Sequence, residues 1–277
     1  MLRTCFPKNA RQTSVAFIVS ATLLVAGLAP QTATCADALS DLRATLSSLS
    51  SQAPLAATLD VKSSTTSKKE NDGKPELAEA HLDIQAGDGL SVHIDKTTLQ
   101  QADTELQAAV GDADYPTPTA ELLGNSVDAL TIEHLVSRGP ALLRMLASAT
   151  AATASSTTLW GQPARELVIP LPPPKSKNVS LKDYQRTVSV WLDAAGLPLA
   201  YSDHTQFKAC LLFFCATADN TESDRLEVVN GRLVAAMTTR DRKMSGLGQD
   251  SDTHIVYLLN VKTASPAAGT TGPNWNQ

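Results

Sequence analysis

Cys210 and Cys215 enclose four large apolar side chains, Leu211, Leu212, Phe213 and Phe214. Thiols in this arrangement can pair, and pairing constrains the backbone. Residues five apart on a straight strand point to opposite faces and stand roughly 16 Å from one another at a rise of about 3.3 Å per residue. A disulfide needs Cα atoms within about 7 Å, so a bond between these cysteines requires the chain to turn through residues 211–214. At a hairpin tip the four apolar residues would form a contact loop for a lipid, a membrane or a partner; folded back, they would join the core. Both readings stand at this stage.

Other reactive groups form no constellation. The five histidines are His81, His93, His134, His204 and His254. His81 and His93, with Asp83 and Asp95 close by, make a partial set of metal ligands. Both alternate with apolar positions, which reads as the wet side of a sheet. There is no G-x-S-x-G elbow, no H-E-x-x-H helix and no G-x-x-x-x-G-K loop. The chain is therefore read as non-enzymatic, with no metal and no cofactor.

The elements that carry these residues follow from periodicity. Leu39, Leu42, Leu46 and Leu49 recur at helical spacing over residues 37–50, with Asp37 as N-cap. Strand patterns follow at 55–66 and 77–84, separated by a polar turn. In the second, Leu82 and Ile84 alternate with His81, Asp83 and Gln85. After Gly87-Asp88-Gly89 the alternation resumes with Leu90, Val92 and Ile94. Register must keep both apolar sets on one face, and the three-residue loop is expected to set His81 opposite His93. Leu99, Ala102, Leu106 and Ala109 form a helical stripe, and residues 111–119 read as a loop. A second helical zone, 127–148, breaks at Gly139-Pro140, with Pro140 at the first position of a new helix. Strands return at 165–171, 187–192, 226–229, 232–240 and 254–260. Asn230-Gly231 predicts a type I′ hairpin that places Leu226, Val228, Leu233, Ala235 and Met237 on one face.

Composition bounds the function. The 277 residues hold 23 Lys+Arg against 28 Asp+Glu, a net charge of -5, with 43% hydrophobic and 4% aromatic residues. A core is affordable in apolar side chains, but a nucleic-acid partner, which needs clustered cations, is excluded. Arg3, Lys8 and Arg11 precede an apolar run at 15–29 and the polar stretch QTATCA, the pattern of an export signal spanning residues 1–36 with cleavage after Ala36. The run is shorter than the ~20 residues of a membrane span. Cys35 raises lipoprotein anchoring, but Thr32, Ala33 and Thr34 match a lipobox poorly. Without its three leading cations the mature chain carries 20 bases and 28 acids, a net -8. One domain over residues 37–262 and an unfolded tail over 263–277 complete the organisation.

Three passages resemble the LolA/LolB-like superfamily of bacterial envelope proteins, which includes lipoprotein carriers and lipid carriers of the LppX/LprG type. DALSDLRATLSSLSSQAPLAATLDV is similar to that group's opening helix and first strand. GPALLRMLASATAATASSTTLWGQPARELVIPLP is similar to its helix, variable segment and Gly-led strand. VSVWLDAAGLPLAYSDHTQF is similar to its strand with Trp-Leu-Asp, turn and Leu-Pro-Leu start of the next strand. The resemblance implies an α+β fold in which a curved antiparallel sheet, an unclosed half-barrel, has helices packed on its concave face around an apolar cavity. It implies a periplasmic carrier or binding protein for a lipid or acylated (lipoprotein) ligand. The alternative is an envelope interaction or sensor module of the same fold, which contacts a protein or, transiently, a membrane through residues 211–214.

Overall fold

A computed structural model describes residues 35–67, 73–174, 180–211, 214–246 and 249–262. The export signal expected over residues 1–36 falls outside the described residues except for Cys35 and Ala36, and the tail expected from residue 263 falls wholly outside them. In chain order the elements are α1 (Cys35–Ser48), β1 (Leu55–Ser67), β2 (Pro75–Ala86), β3 (Leu90–Ile94), α2 (Lys96–Gly111), α3 (Pro118–Asn125), α4 (Ala129–Val136), α5 (Arg138–Met145), a 3-10 turn (Leu146–Ser148), β4 (Thr153–Leu159), β5 (Gln162–Pro170), β6 (Ser180–Leu192), β7 (Pro198–Leu211), β8 (Phe214–Val229), β9 (Arg232–Gly246) and β10 (Gln249–Lys262).

The strands form one ten-stranded antiparallel sheet in the order β3-β2-β1-β10-β9-β8-β7-β6-β5-β4. Strands β4 to β10 run as a meander, and β10 then pairs with β1. The sheet remains unclosed because its edges, β3 and β4, do not pair. These two edges are consecutive in sequence apart from residues 95–152, so the helical segment has to cross one face of the sheet. The residues beneath it show which face. Ala57, Leu59 and Val61 on β1, Ala80, Leu82 and Ile84 on β2, and Tyr257 and Leu259 on β10 are buried, and Leu59 is paired with both Leu82 and Leu259. Above them Ile132, Leu135, Leu142 and Leu146 join the same core together with Leu39, Leu42, Leu46 and Leu49 of the N-terminal helix. The N-terminal stripe is thus buried as expected, although α1 already begins at Cys35 and Asp37 lies in its first turn rather than at its cap.

The helices are shorter and differently seated than the periodicity predicts. On α2 the expected stripe is only partly inward: Leu99 and Leu106 are 48% and 53% exposed, whereas Thr98, Ala102 and Glu105 are buried. Hydrogen bonds override the apolar pattern here. The Thr98 hydroxyl accepts from the His81 amide at 3.3 Å, and the Glu105 carboxylate accepts from Thr119 N at 2.8 Å and Ala120 N at 3.1 Å. Glu105 thereby caps α3, whose own N-cap residue Thr117 makes no side-chain cap. The sequence pattern predicts a loop over 111–119 and no element over 120–126, so this helix is a departure from it. The break in the second helical zone falls at Ser137, and α5 starts at Arg138, so Pro140 occupies the third rather than the first helical position. The first turn has no intrahelical donor to lose, which is why proline fits there. Gly139 is required by close approach: a Cβ would meet Leu49 O at 3.0 Å and Leu46 O at 3.1 Å.

Two strand-level expectations also change. Gly87-Asp88-Gly89 closes on Ala86 paired with Leu90, which puts His93 opposite Asp83, not opposite His81. The Asn230-Gly231 turn has the positive φ angles of type I′, 52° and 72°, but the common face of its two strands ends at a bulge. Leu226 pairs with Ala235 while Arg225 pairs with Met237, leaving Ala236 as an extra residue on β9. A bulge reverses the facing of everything beyond it. Met237 is accordingly 40% exposed, and Thr238 is fully buried. Val228, near the turn, is 43% exposed.

Leu46, with no exposed surface between α1 and the sheet, provides a test of this packing. Leu46→Ala is expected to cost about 2–5 kcal/mol in urea denaturation, with a native far-UV circular dichroism spectrum in the absence of denaturant.

Candidate functional site

At the end of the sheet where β1 begins and β10 finishes, the strand ends leave a groove of about 940 Å³. Its apolar walls are Leu55, Ala86, Leu90, Val229 and Val261, with backbone of the β2–β3 loop and Asn230 of the β8–β9 turn along its rim. Gly87 and Gly89 of the β2–β3 loop and Val229, the last residue of β8, lie along it. Lys262 is the cation at its edge, and its ammonium is held by Asp83 at 2.7 Å on the exposed side. Next to the groove is a polar pocket of about 380 Å³ that includes Gln52, Asp88, Glu133, Ser137, Arg144 and Arg232. The two share a wall made of Ala86, Gly87, Gly89 and Leu90.

The bulge at Ala236 builds a second feature, a buried ionic cluster under α5. It turns Thr238 and Arg240 inward beside Asp224 and Glu222, their partners on β8. Arg138, at the first turn of α5 and 3% exposed, reaches down between the carboxylates. It donates to Glu222 Oε1, and its Nε lies 2.5 Å from Asp224 Oδ2. Arg240 donates to Glu222 Oε2 at 2.7 Å, Thr238 donates to Asp224 Oδ1 at 2.6 Å, and Tyr257, in contact with Arg240, donates to Ser126 O at 3.1 Å. The Arg138 guanidinium also stacks over the Tyr201 ring, 4.7 Å from its centroid.

The charges balance in number but not in environment. Burial pushes the Asp224 carboxyl up to about 6, against the pull of Arg138 and with the help of Glu222. Glu222 pays a burial penalty too, but Arg138 and Arg240 outweigh it and hold the carboxyl below its usual range. Burial drives the Tyr201 hydroxyl well above its ordinary value. These groups are spent on one another, which fastens α5 to β8 and β9. Removing one member would leave a buried, uncompensated charge.

Cys210 and Cys215 are paired in the structure as a disulfide, with Cα atoms 4.2 Å apart. The turn expected from the spacing is present: Cys210 faces Cys215 and Leu211 faces Phe214 as the last pairs of the β7–β8 ladder. Leu212 and Phe213 lie outside the described residues. The histidines on the sheet do not converge. His81 meets Asp60 at 2.7 Å, His204 meets Asp219 at 2.9 Å and His254 meets Asp241 at 2.7 Å, each an exposed cross-strand pair. His134 lies 3.2 Å from Arg144, and burial, reinforced by Arg138 and Arg144, lowers its pKa. Among the described residues no three His, Cys, Asp or Glu side chains gather as metal ligands, and no helix is long and apolar enough to cross a membrane. Sequence reasoning missed Arg138, Glu222, Asp224 and Arg232, since their contacts join positions as far apart as 179 residues.

Two measurements test these assignments. Reducing the disulfide should cost about 2 kcal/mol, the closure entropy of so short a loop, with the strand signal in circular dichroism retained. Asp224, whose folded pKa of about 6 exceeds its unfolded value, holds its proton more tightly when folded. Its contribution to stability therefore falls as pH rises from about 4 to about 6. Asp224→Asn should abolish that fall in urea-denaturation midpoints, and an unchanged slope would contradict the assignment. The chain matches no protein-family model, and a search of the curated proteins finds no match to it.

Proposed function

We propose that the protein is an exported, non-enzymatic carrier or binding protein for a lipid or acylated (lipoprotein) ligand of the bacterial envelope, acting in the periplasm. The observation that carries this reading is the rim groove, because a space of about 940 Å³ falls within the roughly 300–1,000 Å³ of small-molecule sites. Its walls are aliphatic side chains and backbone, which suit an acyl chain and offer little to a sugar or a base. Transfer of a chain from water gains about 0.8 kcal/mol per methylene buried. In this reading the helical crossover lies on the concave side of the half-barrel, as the LolA/LolB resemblance implies. The centre beneath the helices is filled by Leu59, Leu82, Ile132 and Leu142, so the ligand occupies the rim and not the middle of the sheet. The Cys210–Cys215 bond supports an oxidising compartment.

The second reading, an envelope interaction or sensor module, draws on a separate observation. The disulfide pins the far end of β7–β8 into a closed tip, and the sequence there is apolar. In that role residues 211–214 meet a partner or a membrane surface, and Phe213→Ser with Phe214→Ser would abolish the contact while leaving the fold intact.

Gly89 allows a direct test of the carrier reading. It lines the groove, and a Cβ added there meets nothing within 4 Å, so Gly89→Trp should fold normally with an indole in the groove. Binding of a fluorescent long-chain alcohol to the wild type, weakened about tenfold or more in Gly89→Trp, is the expected result. Absence of binding by the wild type would end the carrier reading.

A further inference from the structure

A buried guanidinium with no counter-ion among the described residues stands beside the groove. Arg232, at the first position of β9, is 2% exposed. Its Nη2 donates to Ala53 O at 3.0 Å, and its Nη1 lies at 3.5 Å from the Ser137 hydroxyl. Its Nε has no hydrogen-bond partner among the described residues. Arg138, Arg186 and Arg240 each face a carboxylate, and Arg43 sits on the carbonyls of Leu146 and Ala149 at 2.6 Å and 2.8 Å. Arg232 has no carboxylate within ion-pair distance among the described residues, and burial alone acts on it, lowering its pKa. Burying a cation without an anion is costly, and a guanidinium is the side chain best shaped to receive a carboxylate or phosphate.

The surroundings indicate where such an anion would come from. Arg232 lines the pocket of about 380 Å³ together with Arg144, an exposed residue whose guanidinium meets His134. Asp88 and Glu133 line it too, but among the described residues neither forms an ion pair with either arginine. This pocket shares the wall Ala86, Gly87, Gly89 and Leu90 with the apolar groove. Lys262, the groove's own cation, is already taken by Asp83. The apolar groove and a buried guanidinium with no ion pair among the described residues are therefore one loop's width apart.

We propose that Arg232, assisted by Arg144, is a head-group site, so that the preferred ligand is an anionic amphiphile whose carboxylate or phosphate enters the polar pocket while its chain lies in the groove. This inference rests on the groove binding an acyl chain, as proposed above. It adds the sign of the head group and the residues that select it.

The test is calorimetric titration of the full chain with oleate, methyl oleate and propionate, in the wild type, Arg232→Gln and Arg144→Gln. The wild type should bind oleate about tenfold or more tightly than methyl oleate and show no comparable affinity for propionate. Arg232→Gln should remove the preference for oleate while keeping the affinity for methyl oleate, and Arg144→Gln should reduce the preference. Equal binding of oleate and methyl oleate by the wild type overturns the head-group site and leaves the groove standing. So does a preference that survives in both variants. Propionate binding as tightly as oleate would assign the pocket to small anions and overturn the amphiphile. If neither oleate nor methyl oleate binds, the groove reading itself fails. Arg144 is at the surface, so its variant keeps the test valid even if Arg232→Gln fails to fold.

Discussion

A sheet whose two edges are joined by a helical crossover needs that crossover fastened down, and here Arg138 supplies the central fastening. Helices α3, α4 and α5 have eight residues each, below the roughly 12–15 at which an isolated helix becomes even marginal in water. Side chains, some local and some from elsewhere in the chain, hold the ends of the helical segment. Asp95 and Asp128 cap the helices they precede, Glu105 caps α3 from a neighbouring helix, and Arg43 gathers the carbonyls at the end of the segment. Arg138 adds the bond to the sheet itself through Glu222 and Asp224. Because Asp224 is deep in the interior and holds its proton more tightly when folded, the anchor also makes the protein's stability depend on proton binding.

The anchor exists because of one irregularity. The extra residue at Ala236 moves Thr238 and Arg240 from the wet side of β9 to the dry side, where they complete the set begun by Glu222 and Asp224. The same bulge sends Met237 outward. One inserted residue thus trades an apolar contact for a polar network, a trade that fixes orientation at some expense to packing. The two features with a functional reading lie away from this network, at opposite ends of β8. That strand has sixteen residues, so the disulfide-closed tip and the rim groove are separated by roughly 50 Å at a rise of about 3.3 Å per residue. Contact with a surface and retention of a ligand would be physically independent events.

Strong local patterns were legible in the sequence. Alternation over Leu82 to Ile94, the Asn230-Gly231 turn and the Leu39 to Leu49 stripe all report contacts made by near neighbours or by a single dominant force, and each is present in the structure. β4, by contrast, is Thr, Ala and Ser up to its last residue, Leu159, at an exposed edge, where no alternation is needed because neither face is deeply buried. Its turn at Trp160-Gly161, with φ of 49° and 80°, has no standard signature at the first position. The seating of α2 was unreadable for the opposite reason: its leucines promise an apolar face, and a carboxylate and a hydroxyl with distant backbone partners overrule them.

By itself, then, the sequence determined the α+β strand-helix-strand order, the antiparallel hairpins, the paired spacing of Cys210 and Cys215 and the lack of any familiar catalytic motif, because each depends on residues within a few positions of one another. Tertiary structure alone decided the face presented beyond the bulge, the convergence of Arg138, Arg240, Glu222 and Asp224, and the isolation of Arg232 beside an apolar groove. Those depend on which distant segments share an interior, and whether a buried charge is paired cannot be known until the chain has folded around it.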